Sequence, residues 1–198
     1  MFDILEKTIE EQNALKAASV HYRNMEKILE NVRGLPGEKF VRSLLRIFSL
    51  TGSPIFVNLD HNVSQMPLSE ASTVTQELKD IVKATAGHVI GYKMNFQSLL
   101  TFLIAGVADF PQSVRRIYRR SCQDQYGVEI EPVVWLDQKL SDIPNTNFEA
   151  ADILYKLGFD AIHVMPQIGP DSVASVTLAA ERNEKRAVIQ VINIHERY

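Results

Sequence analysis

The sequence predicts an α/β protein of the (β/α)8 TIM-barrel type, with only strands one to five identifiable and a helical extension at the N-terminus. Two patterns carry this expectation. From about residue 53 onward, short apolar runs alternate with stretches of helical periodicity, which implies βαβ crossovers and a parallel sheet. Charged residues also close successive runs: Asp60 the first, Lys93 the second, Asp137 and Lys139 the third. In an open doubly wound sheet, ligand groups gather at one switch point. Groups at the ends of consecutive strands point instead to a barrel whose axis passes between them. No Gly-x-Gly-x-x-Gly follows the first strand and no phosphate-cradling Gly-Lys-Ser/Thr loop occurs, so a dinucleotide-binding fold is weakly supported.

The elements follow in order. Residues 2–32 are rich in Glu, Lys, Leu and Ala without Pro or Gly and read as a long helix, broken by Gly34-Leu35-Pro36-Gly37. A second helix is expected over 38–50, with Phe40, Val41, Leu44, Leu45 and Phe48 on its apolar stripe. Thr51-Gly52-Ser53-Pro54 then changes the rhythm, which divides the chain into an extension, 1–52, and a partial barrel, 53–198. Strand one is expected at 55–60, a helix at 69–86 and strand two at 88–93. A longer helical region runs from Phe96 to about Tyr126, interrupted at Pro111. Pro132-Val133-Val134 opens strand three, Phe148 to Leu157 is a helix capped by Gly158, and strand four covers 159–164. Gly169-Pro170-Asp171-Ser172 opens another helix, with Pro170 suited to its first turn, and strand five covers 187–194.

Composition narrows the function classes. The 198 residues are 45% apolar and 23% charged, with a net charge of −3, which gives no electrostatic case for nucleic acid. Arg115, Arg116, Arg119 and Arg120 are the local exception, and their helical spacing favours a solvated face over a phosphate or RNA patch. A single cysteine, Cys122, excludes a disulfide framework and fits a reducing cytoplasm. The opening residues are acidic and amphipathic, unlike a signal peptide, and no apolar run reaches the ~18 residues of a membrane span. A cytoplasmic protein without membrane contact is expected.

The run from Trp135 to Thr146 carries the chemistry. Asp137 and Lys139 are two apart at the end of a buried strand, so alternation places them on one face, while Asp142 lies beyond in the turn. An isolated Asp and Lys at this spacing are more often a surface ion pair than a catalytic one. His163, within strand four, reads as a core histidine with a satisfied hydrogen bond rather than a ligand, and His61 as loop or site rim.

Asp137-x-Lys139-x-x-Asp142-Ile143-Pro144-x-Thr146 resembles the signature of the orotidine 5′-phosphate decarboxylase superfamily. The shorter Asp-x-Lys-x-x-Asp form is shared with its sugar-phosphate branches. Lys93 at the end of strand two and the Ile-Pro-Asn-Thr extension favour the orotidine branch, and Asp60 and Gly169-Pro170-Asp171-Ser172 are similar to its flanking landmarks. The resemblance covers roughly residues 54–195.

It implies a carboxy-lyase that converts orotidine 5′-phosphate to uridine 5′-phosphate and CO2 in pyrimidine biosynthesis. Asp137 would be the carboxylate beside the substrate's own carboxylate, Lys139 the proton donor to C6, and Lys93 the partner that holds Asp137 ionised. Asp142 and Thr146 would enter the neighbouring subunit's site, making a homodimer, and Asp60 would bind ribose hydroxyls. His195, closing strand five, stands near where the resemblance puts a small hydroxyl residue against the pyrimidine, and is assigned to substrate binding. No metal or organic cofactor is implied, in keeping with a sequence without ligand-spaced Cys or His clusters.

A complete barrel typically needs ~250 residues. The family's phosphate grip comes from loops after strands seven and eight, which have no counterpart here. A fragment, an incompletely represented protein and a relative without its second half all remain open. So do two other functions: a non-catalytic barrel that binds nucleotide or acts as a scaffold, and a Mg²⁺-dependent sugar-phosphate decarboxylase or aldolase.

Overall fold

A computed structural model describes residues 24–35, 38–60 and 68–190. The chain divides into two compact units, Met1–Leu45 and Arg46–Tyr198. In the first, residues 24–32 are helical; the rest of the expected 2–32 helix lies outside the described residues. Helix α1 covers Glu38–Thr51, and its one fully buried side chain is Ile47 rather than a member of the expected stripe.

The second unit is a five-stranded parallel sheet in sequential order, β1-β2-β3-β4-β5. The strands are β1 (Phe56–Asn58), β2 (Gly91–Asn95), β3 (Val133–Leu140), β4 (Ala161–Val164) and β5 (Arg186–Ile189). Between them run α2 (Ala71–Thr85), α3 (Phe96–Ile104) with α4 (Phe110–Tyr126), α5 (Pro144–Lys156) and α6 (Pro170–Arg182). Among the described residues no helix is long and apolar enough to cross a membrane.

Burial alternates along the inner strands. Tyr92, Met94, Val134, Leu136, Ile162 and Val164 are completely buried, while Lys93, Trp135, Asp137 and His163 between them are only partly so. The buried set faces the helices: the Tyr92 hydroxyl donates to the Val82 carbonyl of α2 at 3.2 Å. A doubly wound sheet is covered on both faces. Full cover on one face and partial cover on the other fit five staves of a barrel wall, with helices outside.

Strand two is shifted relative to expectation. Residues 88–90 form a bend instead, although Ile90 still bonds Ile55 and Val133, and the strand continues past Lys93 to Asn95. The cause is α4, whose tyrosines take the carbonyls a strand would use: Tyr126 donates to Gly87 O and Tyr118 to Val89 O, both at 2.6 Å. The helical break after Phe96 also lies elsewhere. Gly106, at φ 69°, turns the chain, and Pro111 sits in the first turn of α4, where its missing N–H costs nothing. Pro144 likewise starts α5, four residues before the expected Phe148. Strands one and four are shorter than expected, and the end of the expected strand five, 191–194, lies outside the described residues.

The arginine face is only partly solvated. Arg115 is buried and paired with Asp160, which precedes β4. Asp160 also accepts from the Val134 backbone at 2.9 Å and from Lys185 at 2.7 Å. Glu131 joins Arg115 at 3.5 Å and pairs with Arg119. One carboxylate thus fastens α4 to the N-terminal ends of β3, β4 and β5. The paired charges compensate one another's desolvation, which an isolated buried arginine could not achieve.

Gly91 lies where β1, β2 and β3 come closest. A methyl at its Cα would run into the Val133 carbonyl oxygen and come within 2.7 Å of the Phe56 ring. Gly91→Ala is therefore expected to destabilise the protein by about 1–3 kcal/mol, as overpacking does, read as a lower urea midpoint with an unchanged slope.

Candidate active site

The C-terminal ends of β2, β3 and β4 converge on Asp137. Parallel register sets Asn95 beside Asp137, and Lys93 reaches across to Asp137 Oδ2 at 3.0 Å. Lys139 Nζ lies 2.8 Å from Oδ1, and His163 Nδ1, from β4, lies 2.7 Å from the same oxygen. The Asp137 side chain is 11% exposed, so this carboxylate lives among donors and largely away from water.

Simple alternation does not bring Lys139 there. Ile162 and Val164 are two positions apart in β4, but their partners Leu136 and Leu140 are four apart in β3, so the strand bulges. Lys139 sits in the bulge with φ 52°, a left-handed conformation that costs a residue with a side chain about 1–2 kcal/mol. The bulge redirects the lysine back toward Asp137. Its side chain stays 46% exposed at the mouth, unlike Lys93 at 20%.

Burial would push the Asp137 carboxyl up, but hydrogen bonds from Lys139, Lys93 and His163, with the charge of His163, outweigh it. The carboxyl is held well below the usual carboxylate range and is ionised. Two ammonium groups flank this one carboxylate on the partly covered face of the sheet. The exposed Lys139 ammonium is the one placed to meet an anionic group of a substrate.

The other candidates surround this cluster without joining it. Asp60 is exposed at the end of β1, and its carboxylate accepts the Asn95 backbone N–H at 3.0 Å, tying it to the same end of the sheet. Asn95 in turn caps α3 through Ser98 N at 2.8 Å. Asp142 is exposed beyond β3, with its backbone clamped by buried Asn147: Asp142 N donates to Oδ1 at 3.1 Å and Nδ2 donates to its carbonyl at 2.7 Å. Ser172 of α6 donates to that carbonyl at 3.0 Å. Thr146 is exposed in the first turn of α5. His61 and His195 lie outside the described residues. Among the described residues, no group of three or more His, Cys, Asp or Glu could hold a metal ion.

His163 is the site residue that sequence reasoning undervalued. Its hydrogen bond is satisfied, as expected of a core histidine, but by Asp137 itself. The available signal was its position two residues after Ala161 on the strand adjacent to β3, which puts it on the same wall as Trp135 and Asp137. Asn147 gave no signal beyond following the Asp-x-Lys-x-x-Asp run.

The comparisons agree on one family. Residues 53–196 match the family described as "Orotidine 5'-phosphate decarboxylase / HUMPS family". An orotidine 5′-phosphate decarboxylase of Sulfurimonas denitrificans is 37% identical over 59 residues, 30% of this chain and 26% of the relative. The structure of Leishmania donovani OMP decarboxylase superposes with a TM-score of 0.55 at 21% identity, covering 80% of this chain and 60% of that one. The orotidine 5′-monophosphate decarboxylase of Methanocaldococcus jannaschii gives 0.50 at 22% identity, covering 62% and 52%. Such identities speak to the fold, and in each case the chain spans less than two thirds of its relative. The family match spans most of the chain and the solved structures share its fold: the chain belongs to the orotidine 5′-phosphate decarboxylase / HUMPS family.

Proposed function

We propose that the chain carries the carboxy-lyase site for orotidine 5′-phosphate, releasing CO2 and leaving uridine 5′-phosphate. The observation that supports this best is the ionised, half-shielded Asp137 held between Lys93 and Lys139. The bond from C6 to the carboxylate breaks, its electron pair stays on C6, and that carbon takes a proton from Lys139 Nζ, which water then replaces. A buried Asp137 anion beside the substrate carboxylate raises the energy of the bound substrate, and loss of neutral CO2 relieves the repulsion. The Lys139 ammonium meets the charge that develops at C6 and supplies the proton, so it acts more strongly on the transition state than on the substrate. Lys93 keeps Asp137 charged throughout.

Asp60 is proposed to bind ribose hydroxyls from the end of β1. Asp142 and Thr146, both exposed, are proposed to complete the site of a second copy in a homodimer, and His195 to lie near the pyrimidine. The partial barrel, 53–198, would carry the site, with 1–52 as an appendage. No step needs a cofactor. A sugar-phosphate activity on the same Asp-x-Lys-x-x-Asp frame would want an acid rather than a base at the end of strand two, where Lys93 stands.

Lys139→Ala is expected to lower kcat by at least about 100-fold, the scale of a lost general acid, when the fall in orotidine 5′-phosphate absorbance is followed. An active parent whose Lys139→Ala form keeps the full rate would overturn the mechanism. EDTA is expected to leave the parent's rate unchanged; a requirement for Mg²⁺ would transfer the site to the sugar-phosphate branch.

Acid sensitivity gives a further check. The Asp137 pKa is lowered on folding, so its stabilising contribution is complete above the ordinary carboxylate value of about 4 and is lost as pH falls below it. Between pH 5 and pH 3, on either side of about 4, the parent should lose more stability in urea titrations than Asp137→Asn, which has no carboxylate to protonate.

A further inference from the structure

We propose that His163 is a positioning residue for this reaction: together with Lys93 it grips Asp137 by both carboxylate oxygens, so that Lys139 is released to serve the substrate. The inference rests on the orotidine 5′-phosphate reading and deepens it.

A carboxylate is fixed in its plane when each oxygen has its own donor. Lys93 serves Oδ2 at 3.0 Å. Oδ1 has two donors, Lys139 at 2.8 Å and His163 at 2.7 Å. An ionised carboxylate offers only lone pairs, so His163 Nδ1 carries the hydrogen. Lys139 must deliver a proton to carbon and therefore has to turn from Asp137 during the cycle. Without His163, that turn would leave a shielded, charged oxygen with no donor, a costly arrangement. With His163 in place, the oxygen stays satisfied and the carboxylate keeps its aim.

The two donors of Oδ1 are built differently. His163 is 12% exposed, and its ring lies edge-on to Trp135 with centroids 4.7 Å apart at 71°. Trp135 is itself set against Phe56 of β1, 5.8 Å away at 82°. The imidazole is therefore held against Trp135 of β3, whose own ring is braced by Phe56 of β1. Lys139 is a long chain on an irregular strand end with nearly half its side chain in water. One donor is fixed and one is free to move, which is the division the proton transfer needs.

The test is steady-state kinetics on the full chain with orotidine 5′-phosphate, comparing the parent with His163→Leu, His163→Asn and His163→Gln, and urea unfolding of each. Leu fills space without a donor, Asn places an amide N–H near the position of Nδ1, and Gln carries its amide farther out. His163→Leu is expected to lower kcat on the order of ten- to a hundredfold, as a misaimed group does, with KM within about a factor of two. His163→Asn should recover most of kcat, and His163→Gln should not. A Leu variant with the parent's kcat, a loss confined to KM, or Asn and Gln equally impaired would overturn the role of His163. Should Leu fail to fold, the Asn and Gln pair decides. A parent without turnover would sink the orotidine 5′-phosphate reading itself, whereas an active parent with an indifferent Leu variant sinks only the role of His163.

Discussion

One carboxylate organises the mouth of this sheet. Asp137 accepts from Lys93 on β2, from Lys139 on its own strand and from His163 on β4. Taking an anion out of water is expensive, and three donors converging on it offset that cost. Those donors meet only if β2, β3 and β4 lie parallel in the observed register, with Asn95 beside Asp137 and Trp135 beside Ala161. Fold and chemistry are therefore coupled through a single side chain: the register creates the cluster, and the cluster rewards the register.

Sheet geometry explains why the cluster is half shielded rather than sealed. Among the described residues, the wall that carries Tyr92, Met94, Leu136 and Ile162 is fully buried, while Lys93, Asp137 and His163 on the other are partly covered. Partial cover lowers the local dielectric enough for charges to act strongly and still admits a small anion. The bulge at Lys139 adds a movable ammonium to an otherwise fixed arrangement. Strain in a left-handed residue, common where function demands an awkward reach, is here the means of bringing two residues of one strand end to the same point.

Much of this was legible in the sequence, and the failures have physical causes. Apolar runs at 55–60, 132–134 and 159–164 gave strand identity and order because parallel strands are nearly continuous in hydrophobicity. Lys93 and Asp137 were legible as partners through the family resemblance, and parallel register brings them together. The boundaries of β2 were not, since the tyrosine hydroxyls that claim Gly87 and Val89 come from α4, far along the chain. Arg115 looked like a surface charge because its partner Asp160 is 45 residues away. His163 looked inert because its value depends on a neighbouring strand, and period-two alternation gave the right pairing of Asp137 with Lys139 through the wrong geometry.

The ion network around Asp160 sits at the opposite end of the strands from Asp137 and shares none of its side chains. The strands are thereby tied at both ends, by the Asp160 network at one and by the Asp137 cluster at the other. A change at the mouth removes only one of these two anchors, and the ion pairs at the base still hold the staves in line for a lineage that varies its specificity.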